Sequence, residues 1–283
     1  MSEKKVWFIT GASSGLGRAL TEEVLARGEK VAATARRPEA LADLLEKYPE
    51  TVRAIKLDVT NQKSVKSAIA NAVGEFGRID VVVNNAGYAV VGAIEEANDE
   101  QVKAQFDTNV FGVLNVTREV LPVLREQKAG HIVNIGSLVG LTAFPAFGVY
   151  SATKFALEGL SESLAAETAP LGIRTTIVEP GAFHTGFSER SVAIGDNRLP
   201  EAYPVTDEMI GAFSHFDSPA SGDPKKAARI IFEAVESENP PFRLPLGQDA
   251  YDAIDAKLEQ IKGEIEPWRS RATQTAFDAA ATA

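Results

Sequence analysis

Val6-Trp7-Phe8-Ile9-Thr10-Gly11-Ala12-Ser13-Ser14-Gly15-Leu16-Gly17 is an apolar run followed by a glycine-rich turn, and an amphipathic stretch from Arg18 to Arg27 follows before Gly28. The order is strand, turn, helix. Gly11 suits a tight strand-to-helix turn, Gly15 lets backbone approach a pyrophosphate, and Gly17 lets the helix pack closely on the strand. A phosphate would then sit at the positive end of that helix, facing unpaired N–H groups. The spacing is GxxxGxG rather than GxGxxG, and no Gly-Lys-Ser/Thr of a P-loop is present. A glycine-rich turn alone is often only a turn; its place between the first strand and the first helix gives it weight.

Outward from this turn the chain alternates short apolar runs with longer amphipathic ones, the mark of βαβ units around a parallel sheet. Lys30 to Ala35, Val52 to Leu57, Asp80 to Val83, His131 to Ile135 and Arg174 to Val178 read as further strands, and Phe242 to Leu246 as a seventh. Helical patterns cover Lys63 to Glu75, Glu100 to Glu126, Tyr150 to Glu167, Asp223 to Glu236 and Ala250 to Ile261, and Pro38 opens one more as a first-turn proline. The expected fold class is α/β, a Rossmann-like doubly wound parallel sheet in one domain spanning 1–283. Residues 182–222 lack a clean period and read as an irregular excursion or substrate lid. Residues 247–283 form a carboxy-terminal helix and tail, alanine- and threonine-rich and partly mobile after Pro267.

Composition removes several chemistries. The 283 residues are 45% hydrophobic and 24% charged, in keeping with a folded core rather than disorder. There is no cysteine, which excludes disulfides, a thiolate nucleophile and cysteine-bound zinc. His131, His184 and His215 are scattered with no HExxH pair, so no metal site is expected. A formal charge of −10 argues against a nucleic-acid surface. No apolar stretch approaches the ~18 residues of a membrane span, and no signal segment opens the chain, so a cytoplasmic location is expected. Any redox work must come from a borrowed organic cofactor.

The end of the second strand bears on which one. A free ribose diol wants a carboxylate about 20 residues past the glycines. The sequence there is Thr34-Ala35-Arg36-Arg37. Two guanidiniums suit a 2′-phosphate, so NADP(H) is expected in preference to NAD(H); taken apart from the glycines, they read equally as a solvated basic turn. Ser137, in Asn134-Ile135-Gly136-Ser137, follows the fifth strand, at the carboxyl end of the sheet. Tyr150 and Lys154 stand one helical turn apart on one face. An ammonium beside a phenol favours the phenolate, whose ordinary pKa is about 10. That pairing suits proton transfer to or from a carbonyl or alcohol oxygen, with Ser137 hydrogen-bonded to the same oxygen. A lone Tyr-x-x-x-Lys usually means a packed ring beside a solvated amine; with Ser137 and the glycine turn it becomes a constellation.

With these motifs in order over residues 5–187, the sequence resembles a short-chain dehydrogenase/reductase of the single-domain type. The resemblance implies that Gly11, Ser13, Ser14, Gly15, Leu16 and Gly17 belong to the cofactor turn. It makes Asp58 and Val59 the acid and amide that meet the adenine. Asn84, Asn85, Ala86 and Gly87 match the motif that steadies the sheet beside the cofactor, and Pro180, Gly181 and Thr185 match the segment touching the nicotinamide. Ser137, Tyr150 and Lys154 match the catalytic set, with Lys154 also holding the nicotinamide ribose. Asn109 matches the asparagine that holds a water in the proton relay. Singly, Asp58 reads equally as a helix cap, Asn109 as a helix-interior polar residue, and Asn84-Asn85 as a turn. Ser14 stands where some NADP-using relatives carry a basic residue, which leaves phosphate discrimination to Arg36, with Arg37 assisting.

The expected reaction is hydride transfer between NADP(H) and a secondary alcohol or ketone, a carbonyl reductase acting on a small molecule. Val139, Leu141, Phe144 and Phe147, with Phe183, Phe187 and Phe213 in the excursion, would make an apolar pocket for a lipophilic carbonyl compound; each also reads as ordinary core. Steroid, retinoid or 3-oxoacyl reductases of the same family are the alternatives, as is a non-catalytic NADP(H)-sensing protein. Arg190 and Arg198 are the only Lys or Arg in 182–222. An acyl-carrier substrate, which would want more cations, is therefore less attractive. The resemblance implies a homodimer or homotetramer through the helices at 100–126 and 150–167, and the stretch with Trp268 would cover the cleft or a neighbouring subunit.

Overall fold

The structure, a computed structural model, describes residues 4–213 and 222–277. In chain order, β1 (Val6–Ile9), α1 (Gly15–Ala26), β2 (Lys30–Ala35), α2 (Ala42–Lys47), β3 (Val52–Lys56), α3 (Gln62–Phe76) and β4 (Val81–Asn84) form the first half. There follow β5 (Ala89–Val91), α4 (Asp99–Phe106), α5 (Gly112–Gln127), β6 (Gly130–Ile135), α6 (Gly148–Thr168) and β7 (Ile173–Pro180). The last part comprises α7 (Phe187–Arg190), β8 (Val192–Ile194), α8 (Pro204–Phe213), α9 (Pro224–Glu236), β9 (Arg243–Leu246), α10 (Gln248–Ile265) and α11 (Arg269–Ala272).

Seven strands make one parallel sheet in the order β3-β2-β1-β4-β6-β7-β9. The chain starts at the centre, runs outward to β3, then crosses back to build the other half from β4. This is the Rossmann-like doubly wound α/β fold in one domain, with the switch in direction between β1 and β4. Strand alternation sends side chains to both layers. Trp7 and Ile9 enter a core with α1, α2 and α9, whereas Phe8 enters a second core with α3 and α5. The Trp7 ring stacks on Phe232 of α9 at 5.6 Å between centroids. Both faces being covered, the strands read as continuous apolar runs.

Three local differences from the sequence reading have physical causes. The stretch expected as one helix from Glu100 to Glu126 is broken at Asp107–Phe111 by a π-helical turn, between α4 and α5. A second, two-stranded parallel sheet pairs β5 with β8, Ala89 opposite Val192 and Val91 opposite Ile194. Three-residue strands carry too few alternations to register as a period. Within the excursion, 187–190 and 204–213 are helical. His215 lies outside the described residues, as does the side chain of Phe213. Asp223 caps α9, accepting from the Lys225 N–H at 2.8 Å. Among the described residues no helix is long and apolar enough to cross a membrane.

Candidate active site

The carboxyl ends of β1, β2, β4, β6 and β7 open on one cleft of about 1050 Å³. Its floor is the glycine turn. Gly11 has φ +66° and Gly15 φ +58°, conformations that glycine adopts without penalty. A Cβ on Gly17 would stand 2.3 Å from Asn85 Nδ2 and 2.6 Å from the Gly11 carbonyl, so the helix start packs against the turn and the Asn85 amide with no room for a methyl. Asn85 in turn donates to the carbonyls of Thr10 and Gly11 at 2.9 and 3.2 Å. Thr10 Oγ1 accepts the N–H groups of Asn85 and Ala86. The turn is thus clamped to the end of β4. Ser14, the N-cap of α1, makes no capping bond with its side chain, and Ser13, Ser14, Gly15 and Leu16 line the cleft. A helix start presented this way, over a cradle that a Cβ would fill, fits a dinucleotide pyrophosphate.

Beyond the turn, Arg36, Asp58, Val59, Asn85, Ala86 and Gly87 line the same cleft, with Pro180, Gly181 and Thr185 facing them. Gly17 and Arg37 do not line it; Gly17 lies beneath Asn85, and Arg37 is exposed ahead of the short 3₁₀ turn at Pro38–Leu41. Asp58 does not cap α3: Asn61 does, accepting from Ser64 N–H, while Asp58 accepts from the Thr60 N–H and hydroxyl.

Ser137, Tyr150 and Lys154 converge at the far end of the cleft. Ser137 leaves β6 and hydrogen-bonds the Tyr150 phenol, which lies on the first turn of α6. Burial pushes the phenol up to about 12, and the Ser137 hydrogen bond offsets only part of that. The Lys154 ammonium donates to the Ile135 carbonyl at 2.8 Å and stands 5.6 Å from the centroid of the Tyr150 ring. Burial lowers it to about 8, with the carboxylate of Glu158 opposing the fall. Near neutral pH burial thus favours the protonated phenol beside the ammonium.

Asn109 sits in the π turn, buried and outside the cleft lining. Its amide donates to the Tyr88 carbonyl at 2.8 Å and to Thr153 Oγ1 at 3.1 Å, and its oxygen accepts from the Tyr88 N–H. Thr153 Oγ1 donates to the Tyr150 carbonyl at 2.7 Å. The asparagine side chain thus braces the turn that carries Tyr150.

Val139, Phe144, Phe147, Phe183 and Phe187 line the cleft around this set, and Leu141 does not. The Phe187 ring lies 6.2 Å from that of Tyr150. Tyr88, Asp107, Arg190 and Met209 also line it, none carried by a motif in the sequence. The excursion is anchored by charge: Glu96, fully buried, accepts from Ala93 N–H and Leu199 N–H and pairs with Arg198, which also holds Asp207. At the other edge Asp249 accepts from Ala182 N–H at 2.7 Å, where Gly181 leaves room for it. A further cluster unread in the sequence lies one turn beyond Lys154. Arg243 of β9 pairs with buried Glu158 and Glu179 and with exposed Glu162. Burial first, and then the neighbouring Glu179 and Glu162, push Glu158 up to about 7 against the pull of the Arg243 guanidinium.

A sequence model of the family described as short chain dehydrogenase matches residues 5–193. Oxidoreductase BOA17 of Botryotinia fuckeliana is 40% identical over 270 residues, covering 94% of this chain and 97% of that protein. The 3-ketodihydrosphingosine reductase of Bacteroides thetaiotaomicron is 38% identical over 250 residues, 87% of this chain and 88% of that protein. Among solved structures, a short-chain dehydrogenase from Streptomyces avermitilis superposes with a TM-score of 0.91 at 42% identity, covering 97% of this chain and 100% of the other. A short chain dehydrogenase/reductase from Burkholderia phymatum in complex with NAD gives 0.82 at 26% identity, covering 93% and 95%. One from Burkholderia cenocepacia in complex with NADP gives 0.74 at 27%, covering 94% and 97%.

Proposed function

This chain belongs to the short-chain dehydrogenase family and is an NAD(P)-dependent oxidoreductase, and from that premise we propose that it reduces a lipophilic ketone with NADP(H). The observation that carries the reading is the buried Tyr150 phenol hydrogen-bonded to Ser137, at the apolar end of a cleft whose other end offers Arg36. The nicotinamide cofactor, when bound, supplies the hydride. Tyr150 gives its proton to the substrate oxygen as charge develops there, and Ser137 hydrogen-bonds that oxygen. Lys154, fixed by the Ile135 carbonyl, holds the nicotinamide ribose and helps the tyrosine regain its proton. Asn109 is a positioning residue, bracing the Tyr150 turn through Thr153.

Gly11 and Gly15 bring backbone to the pyrophosphate, with Ser13, Ser14 and Leu16 around it. Asp58 and Val59 take the adenine, Asn85 to Gly87 flank the cofactor, and Pro180, Gly181 and Thr185 close on the nicotinamide. Arg36 is the one guanidinium of the Arg36-Arg37 pair that lines the cleft, which supports a reading of the 2′-phosphate by that residue. Phe144, Phe147, Phe187 and Met209 suit an alkyl or ring substituent on the ketone, in keeping with a relative named for a long-chain ketone. Residues 182–213 act as lid. We take the enzyme to be a homo-oligomer built through α5 and α6, with Phe111 at the end of the π turn before α5 and Phe155 of α6 exposed.

The deciding experiment is a panel of aliphatic, aromatic and polycyclic ketones with NADPH and with NADH. Tyr150→Phe is expected to lower kcat about a thousandfold, the middle of the range for a positioned acid, while NADPH binding by calorimetry is retained. Tight NADPH binding with no turnover across the panel would instead favour a cofactor sensor.

A further inference from the structure

The carboxy-terminal helix has a face that the monomer leaves open. Tyr251, Ile254, Leu258, Ile261, Ile265 and Trp268 follow one another at intervals of three, four, three, four and three. That is the a/d repeat of a coiled coil, sustained through α10 and into the turn that follows it. All but Ile254 are strongly exposed: Tyr251 51%, Leu258 60%, Ile261 41%, Ile265 54% and Trp268 61%. Only the first turns of α10 rest on the body, through buried Ala250 and cleft-lining Ala253. From Leu258 to Phe277 every residue is exposed, so this half of the helix projects without a packed face. A helical arm of that length is marginal in water by itself and wants a partner for its apolar seam.

The flanking charges say which partner. With the a/d seam in register, Asp255 and Lys262 occupy e positions and Lys257 and Glu264 occupy g positions. If a second copy lies antiparallel, with Leu258 opposite the other chain's Ile261 and Tyr251 opposite its Trp268, all six apolar layers close. The nearest e–e contact is then Asp255 with Lys262 and the nearest g–g contact is Lys257 with Glu264. Each forms twice by symmetry, and no like charges face each other. A parallel pair would instead set Lys257 against Lys262 twice. Over residues 251–268 the charges are therefore self-complementary in the antiparallel orientation, as a two-fold contact requires, whereas a parallel pair offsets the lysine clash only with Glu264 against Arg269 just beyond.

We propose that this arm is a docking surface for a second copy of the chain, the two helices pairing antiparallel over residues 251–268. The contact is separate from α5 and α6 and independent of the reaction assigned above. It brings the carboxy-terminal end of each arm beside the start of the other copy's α10, next to the Asp249 edge of that copy's cleft.

The chain has no cysteine, so introduced thiols report cleanly. Mixed under oxidising conditions, full-length Tyr251→Cys and Trp268→Cys are expected to form a disulfide-linked heterodimer, and Tyr251→Cys alone none. Self-linking of Tyr251→Cys, or no link in the mixture, would overturn the antiparallel pairing. In sedimentation, Leu258→Glu with Ile265→Glu is expected to halve the particle mass while kcat per chain stays unchanged. Unchanged mass, with or without a rise in substrate KM, would overturn the proposal, a KM rise meaning that the arm covers its own cleft. Lys262→Glu is expected to raise the dissociation concentration about tenfold, and adding Asp255→Lys to restore it; failure of that rescue counts against the charge register.

Discussion

The two walls of the cleft are built by different physics. The nucleotide wall is backbone: Gly11 and Gly15 at positive φ, the Thr10 hydroxyl receiving two amides, and the Asn85 amide filling the space above Gly17. The lid wall is side chain and charge. Residues 192–213 are tied to the rest through buried Glu96, its partner Arg198 and Asp207, with one short parallel pairing of β5 and β8. A wall of backbone admits no added atom and has little to titrate. One held by buried ion pairs tolerates changes of volume but depends on charge. On the proposed function, the first would be a fixed reader of a common cofactor and the second an adjustable reader of a particular substrate.

Adding volume to the nucleotide wall should have the largest effect. Gly17→Val drives side-chain atoms into Asn85 and the Gly11 carbonyl; overpacking of this kind costs about 3 kcal/mol, and NADPH affinity by calorimetry should fall by about a hundredfold. If Gly17→Val binds NADPH normally, the wall is more pliant than the distances allow. Arg36 is the exposed side-chain exception within that wall. Arg36→Ala should weaken NADPH about tenfold, the worth of one exposed charge-assisted contact, and leave NADH unchanged in paired titrations.

Charge removal should act on the other wall. Arg198→Ala leaves Glu96 buried with two N–H donors but no cation. We expect local loosening of 192–213 in hydrogen exchange, a ketone KM higher by about three- to tenfold, and NADPH affinity unchanged. Equal loss of cofactor affinity would show that the walls are not separable.

The smallest effect is a slope. Behind Lys154, Glu158 titrates near 7 in the folded protein against an ordinary 4.5. The folded form therefore keeps a proton that the unfolded chain loses, and the group's contribution to stability falls as pH rises from 4.5 to 7. Glu158→Gln should flatten that part of the wild-type stability profile in denaturant titrations. An unchanged slope would mean that Arg243 holds Glu158 ionised throughout.

What the sequence disclosed follows the same division. The glycine turn, Ser137, Tyr150 and Lys154 are fixed by short spacings on single elements, and such spacings survive in one dimension. So did the seven strands of the main sheet, each an apolar run between turn residues. Glu96 with Arg198, and Glu158 with Arg243, are 102 and 85 residues apart, and no local pattern announces such pairs. Tyr88 and Met209 reach the cleft for the same tertiary reason. Four-residue spacing gives the proximity of Tyr150 to Lys154 but not the burial of either, which the tertiary fold sets.

The π turn at Asp107–Phe111 has one more consequence, and it concerns the lengths this gene can take. Such a turn holds one residue more than the α-helix around it can accommodate. Deleting any single residue there would let α4 and α5 fuse into the regular helix that the periodicity describes. Because the wide turn already takes up the extra residue, α4 and α5 would keep the faces they now present, and the change would fall on the turn itself. Asn109 would lose Tyr88 and Thr153 together, although the composition would hardly change. A one-codon deletion here would thus cost the brace under Tyr150 rather than the helix that carries it.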